Sequence, residues 1–163
     1  MGLERDLSLT DRERVREALV RISARLNRNL TLSDILDEWR QFVVAVNQGY
    51  GWSMDTYNRD LAIRDVIEEI CELLSMSGRL LVMNAVRDTD RDFTLATYDP
   101  DRPDENYSPH HEIGWWQFRI PKFPTGALLA DFNRMGYKPW VSFGPPPGAP
   151  DELIDYRAQG PDS

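Results

Sequence analysis

The chain has one cysteine, two lysines, two histidines and no proline before residue 100. Each shortage excludes something. With Cys71 alone, neither an intrachain disulfide nor a cysteine-built zinc site can form, which suits a reducing compartment, and a cytoplasmic location is expected. No apolar run approaches the ~20 residues that a membrane span needs, so no membrane association is expected. The opening MGLERDLSLTDRER is charged from the outset and has no apolar h-region, and no secretion signal is expected. The two lysines, Lys122 and Lys138, stand against 17 arginines, so ion pairs will mostly use the planar, bidentate guanidinium. A formal net charge of −8 opposes a grip on a phosphate backbone, and no nucleic-acid partner is expected.

Familiar chemical signatures are also missing. The sequence contains no G-x-S-x-G elbow and neither of the glycine-rich phosphate cradles. His110 and His111 are adjacent and followed by Glu112, with no spaced third ligand for zinc. The acids from Asp99 to Glu105 lack the central glycine and terminal glutamate of a calcium loop. No cofactor is expected, and Cys71, on an apolar face, reads as buried and inert.

What the sequence does have is helical periodicity. All eleven prolines lie beyond Tyr98, which divides the chain into a part able to hold long regular elements and a part that cannot. Thr10 and Glu13 have capping-box spacing, followed by an apolar stripe of Val15, Ala18, Leu19, Ile22 and Leu26. Thr31, with Asp34 in the first turn, predicts a second start, and Leu32, Ile35, Leu36, Trp39, Phe42, Val43 and Val46 form the strongest stripe in the chain. Gly49 and Gly51 bracket its end. Ser53 is suited to cap a third helix, broken near Asp60, whose face runs from Leu61 through Val66, Ile67 and Ile70 to Leu74. Residues 79–98 suit either a hairpin or a helix, and the spacing of Val82, Val86, Thr89, Phe93 and Ala96 favours the helix. The expected fold is mainly all-α: a four-helix bundle-like core over 1–98, a loop, aromatic segment and short helix over 99–140 packed on it, and a disordered Pro/Gly-rich tail over 141–163. If Trp115 and Trp116 lie on a strand, they point to opposite sides and one is partly exposed.

Gly49-Tyr50, Asp55, Tyr57, Asp60-Leu61, Arg64-Asp65, Asp90, Phe93, Thr97, Trp115-Trp116, Arg119 and Pro121 together resemble a group of small, mostly actinobacterial helical proteins with no established function. The likeness runs from about Leu32 to Pro121 and includes no motif of known chemistry. It departs from the group's pattern at Asn58-Arg59 and Leu61-Ala62-Ile63, where more acidic residues are usual. The resemblance implies a helical fold and supplies no activity.

The candidate partner- or ligand-binding residues are Tyr50, Trp52, Asp55, Tyr57, Asp60, Arg64, Asp65, Trp115, Trp116 and Arg119. Asp60 and Arg64 are four apart, so a carboxylate and a guanidinium can meet on one helix face with Tyr57 about one turn before them, as in a helix-junction lock. Glu68, Glu69 and Glu72 have the spacing by which some all-helical nucleoside triphosphate pyrophosphohydrolases hold magnesium, though Asp88, Asp90 and Asp92 would spray around a facing helix. No catalytic residue is expected. The favoured function is a small acidic interaction module, in its most concrete form an immunity or antitoxin-type protein covering a basic toxin surface. The alternatives are a magnesium-dependent hydrolase of nucleotide-like substrates and a small-ligand sensor.

Overall fold

The computed structural model describes residues 2–102 and 114–144, and they are mainly all-α. In chain order the elements are α1 (Leu3–Asp6), α2 (Leu9–Leu26), α3 (Leu32–Gly49), α4 (Met54–Leu61), α5 (Ile63–Leu73), α6 (Met76–Ala96), β1 (Thr97–Tyr98), a 3-10 turn (Trp115–Phe118), β2 (Ile120–Pro121), α7 (Gly126–Met135) and α8 (Pro139–Phe143). The ambiguous 79–98 stretch is helical through Ala96, because Val82, Val86, Phe93 and Ala96 bury one continuous face. No helix among the described residues is long and apolar enough to cross a membrane.

Two compact units share the chain. One comprises Met1–Phe42 and Asp60–Arg91, the other Val43–Arg59 and Asp92–Ser163. In the first unit, α2 packs on α5. The N-cap of α2 is Ser8, whose hydroxyl accepts the Asp11 amide at 3.1 Å; the capping box expected at Thr10 is displaced by two residues. The displacement puts Asp11 at the third residue of the helix rather than inside a capping box. Its carboxylate accepts the backbone N–H of Ser75 at 2.9 Å and the Ser75 hydroxyl at 2.5 Å, capping α6 from another helix. Gly78 makes that approach possible, since a Cβ there would stand 2.4 Å from Asp11 Oδ2. The amide and hydroxyl of Ser75 hold the Asp11 carboxyl below its ordinary pKa. At α3 the expected cap forms reciprocally: the Asp34 amide donates to Thr31 Oγ1 at 3.1 Å and the Thr31 amide to Asp34 Oδ2 at 2.9 Å. Leu32, Ile35, Trp39 and Phe42 are buried as the stripe requires, each such side chain contributing about 1.5–3 kcal/mol.

In the second unit the end of α3 is stitched to α7. Gly49 ends its helix at φ +109°, and Thr125 donates its hydroxyl to the Gly49 carbonyl at 2.9 Å and its amide to the Tyr50 carbonyl at 3.0 Å. The Met54 amide donates to Asp131 Oδ2 at 2.8 Å, and Ser53 caps α4 through the Thr56 amide. β1 and β2 pair antiparallel, with Thr97 opposite Pro121 and Tyr98 opposite Ile120. The short helix expected after Thr125 is α7, with Leu128 and Phe132 inward and Gly136 ending it. The sequence places a tail from 141, whereas α8 runs to Phe143, started by Pro139 in its first turn and anchored by the buried Trp140. The expectations for His110 and His111, for most of the proline-rich loop and for the tail beyond Gly144 lie outside the described residues.

Candidate functional site

The sequence candidates divide between the two units. Asp60, Arg64 and Asp65 belong to the first; Tyr50, Trp52, Asp55, Tyr57, Trp115, Trp116 and Arg119 belong to the second.

Arg64 sits on the apolar face of α5 beside Ile63 and Ile67, and its side chain is fully buried. A buried guanidinium needs a partner that satisfies its fork, and Asp90 of α6 supplies one: Nε donates to Oδ1 and Nη2 to Oδ2, both at 3.0 Å. The indole Nε1 of Trp39 donates to the same Oδ1 at 2.9 Å. Nη1 lies 3.6 Å from Glu68 Oε2, and Glu68 Oε1 accepts from Arg79 at 3.0 Å. Three helices are thus locked by one buried carboxylate. Asp60 is exposed and Asp65 half-buried. Cys71 is buried nearby on α5; burial first, and then the Glu68 carboxylate, push its thiol up to about 11, so it carries little thiolate at neutral pH.

The three glutamates with metal-like spacing are put to other uses. Glu68 is held by Arg79 and Arg64, Glu69 pairs bidentately with Arg25 at 3.2 and 2.8 Å, and Glu72 is exposed. Of the facing acids, Asp90 is committed to Arg64 while Asp88 is an exposed neighbour of Arg91. Among the described residues no group of three His, Cys, Asp or Glu side chains is placed to hold a metal ion.

In the second unit Arg119 is buried at the C-terminus of α6. Its Nε donates to Thr97 Oγ1 at 2.9 Å, and its Nη2 to the carbonyls of Thr94 at 3.0 Å and Thr97 at 2.8 Å. A cation at the carbonyl end of a helix is favoured by the helix dipole and by the unsatisfied acceptors there. Tyr57 donates its phenol to the Arg119 carbonyl at 2.8 Å and meets Tyr50 edge-on, with ring centroids 5.4 Å apart. Burial raises the Tyr57 pKa well above that of an ordinary phenol.

The tryptophan expectation is corrected. Gly114, at φ +73°, starts a 3-10 turn rather than a strand, and Trp115 and Trp116 are both buried, packed edge to face at 5.8 Å. In such a turn adjacent side chains are not driven to opposite faces as they are on a strand. The exposed ring of the segment is Phe118, 61% accessible, and among the described residues Trp52, 68% accessible, is also an exposed ring. Asp55 is exposed in the first turn of α4. A groove of about 430 Å³ lies elsewhere, in the first unit, lined by Leu3, Glu4, Arg5, Thr31, Leu32, Ser33 and Leu36, none of them singled out for a ligand by the sequence.

No family model, no curated protein and no solved structure matches this chain.

Proposed function

We propose that this is a small interaction protein that holds another protein through exposed aromatic side chains, in its most specific form a cytoplasmic immunity or antitoxin-type protein masking a basic toxin. The observation that carries the reading is the exposure of Trp52 and Phe118 in a unit whose other candidate aromatics, Tyr50, Tyr57, Trp115 and Trp116, are all buried. Aromatic rings are the usual energetic anchors of interfaces. Tyr57, Thr97 and Arg119 of the same unit are occupied in holding one another and the end of α6 together.

Charge adds a refinement. Of the net −8, residues 103–113 and 145–163 contribute seven carboxylates against one arginine, so the described residues are nearly balanced. Attraction to a basic partner therefore resides mainly in those two stretches, and it speeds encounter more than it deepens affinity. A magnesium-dependent hydrolase is the weaker reading, because Glu68 and Glu69 would have to abandon Arg64, Arg79 and Arg25. A ligand sensor is weakened by the burial of Tyr57 and Trp115.

Affinity capture from the native organism tests the proposal. One protein with a cationic surface, retained by the wild-type chain and lost from a Trp52→Ala/Phe118→Ala variant, supports it. Magnesium-stimulated turnover of nucleotides, with no protein captured specifically, contradicts it.

A further inference from the structure

The β1–β2 ladder of the second unit carries a cation on each face. Partners across an antiparallel pair point the same way, so Tyr98 and Ile120 share a face. Lys122 continues the ladder through its amide, which donates to the Ala96 carbonyl at 3.0 Å, and two residues beyond Ile120 it points to the same face. Arg119 takes the opposite face, where it is committed to Thr97 and the end of α6. On the Lys122 face the rings close in. Lys122 Nζ stands 4.7 Å over the ring centroid of Phe143 in α8, and the Tyr98 ring lies 5.2 Å from the same ring. Trp140 precedes Phe143 by one turn on the same side of α8 and is fully buried.

What this neighbourhood lacks is an acceptor. The exception to the satisfied buried donors of the unit is Trp140 Nε1, which has no hydrogen-bond partner, an uncommon and costly state for an indole N–H. Lys122 is half-buried, and among the described residues no carboxylate pairs with it; burial first, and then the Arg119 charge, push its pKa down. The Tyr98 phenol is pushed up by burial and then by Tyr137, so it stays protonated and able to donate. Neighbouring acids are spent elsewhere: Asp99 accepts the Asp101 amide, and Asp131 accepts from the Met54 amide and Arg134. A buried N–H, an ammonium and a phenol with no negative charge to serve them are the donor set of an oxyanion site.

We propose that Lys122, Tyr98 and Trp140 bind the oxyanion of a small molecule, a carboxylate or a phosphate. Lys122 supplies the charge, the Trp140 N–H the innermost bond, and the Phe143 and Tyr98 rings the walls. Because Nε1 is closed to solvent, the anion reaches it as α8 shifts, and α8 is a helix of five residues with no side-chain cap at Lys138. A small solute can enter beneath that helix, whereas a carboxylate on the surface of another protein would have to bring its own backbone in with it. The site uses neither Trp52 nor Phe118, so it stands or falls independently of the partner-binding reading.

Titration of the full chain with benzoate and, separately, with inorganic phosphate tests it, followed by the indole N–H signals in proton–nitrogen correlation spectra. The expected result is a saturable downfield shift of the Trp140 signal. Lys122→Gln should weaken binding roughly tenfold, the loss of one charge-assisted bond, while Lys138→Gln leaves it unchanged. A response to benzoate alone assigns the site to carboxylates and a response to phosphate alone to phosphates; either supports the proposal. Neutral benzamide should leave the Trp140 signal where it is, and that comparison on the wild-type chain decides alone should Lys122→Gln prove misfolded. No saturable shift with either anion, an equal response to benzamide, or equal weakening by the two lysine variants overturns the proposal.

Discussion

Arg64 and Asp90 lie 26 residues apart in sequence and meet through two parallel hydrogen bonds of 3.0 Å, with neither side chain open to solvent. A buried ion pair of this kind contributes little net stability over an apolar replacement, yet removing one member strands the other charge. Asp90→Asn and Arg64→Met should therefore each cost about 3–5 kcal/mol. The Arg64→Met/Asp90→Leu double variant should be more stable than either single one, although it leaves the Trp39 indole N–H without its acceptor. Urea midpoints of the four proteins check this, and equal, small losses in the singles would show the pair to be unimportant.

Asp11 should make stability depend on acid. Its carboxyl titrates below the ordinary value because the Ser75 amide and hydroxyl bond to the charged form. A depressed folded-state pKa means the contribution is fully present above the unfolded value, about 3.9, and is lost as pH falls through the folded value. Loss of the cap in Asp11→Ala should cost about 0.5–2 kcal/mol near neutrality. The gap between wild type and variant should stay constant down to about pH 5 and close below about pH 4. Urea unfolding at stepped pH measures it.

Tyr57 gives the opposite sign. Burial raises its pKa well above the ordinary phenol value, so its contribution is present below about pH 10 and is lost as pH rises through the folded value. In an ultraviolet titration the Tyr57 phenol should stay protonated until the chain unfolds in alkali. Tyr57→Phe should delete that late step and cost about 0.5–1.5 kcal/mol through the lost bond to the Arg119 carbonyl.

Gly126 occupies φ +49°, and a Cβ there would lie 2.8 Å from the Gly51 carbonyl oxygen. The obstacle is backbone rather than a flexible side-chain end. Gly126→Ala should cost at least the roughly 1–2 kcal/mol of left-handed strain, whereas Gly2→Ala, with open space around it, should leave the melting temperature unchanged.

The helices were legible because their apolar residues recur at helical spacing and because Thr31, Ser53 and Gly136 mark ends with local chemistry. The cap of α2 was misplaced: Ser8 and Thr10 both have the residue type, and only the tertiary use of Asp11 at Ser75 separates them. Arg64 was legible as half of an ion pair. Asp90 as its buried partner was not, although its place in register with Val82 and Val86 was a usable signal, since a carboxylate in an apolar stripe requires a cation. Trp115 and Trp116 were misread because a short aromatic run has no period of its own, so a strand and a 3-10 turn cannot be told apart. Phe118 went unnoticed for the same reason. The glutamates had metal-like spacing on one helix, but spacing cannot show that Arg25 and Arg79 reach them first.

The central claim is that Trp52 and Phe118 work for binding while the buried polar groups work for folding. Calorimetric titration of the captured partner into wild type and into Trp52→Ala/Phe118→Ala tests it most directly. The expected result is a loss of at least about 2 kcal/mol of binding free energy with an unchanged melting temperature. Equal affinity for both proteins would contradict it.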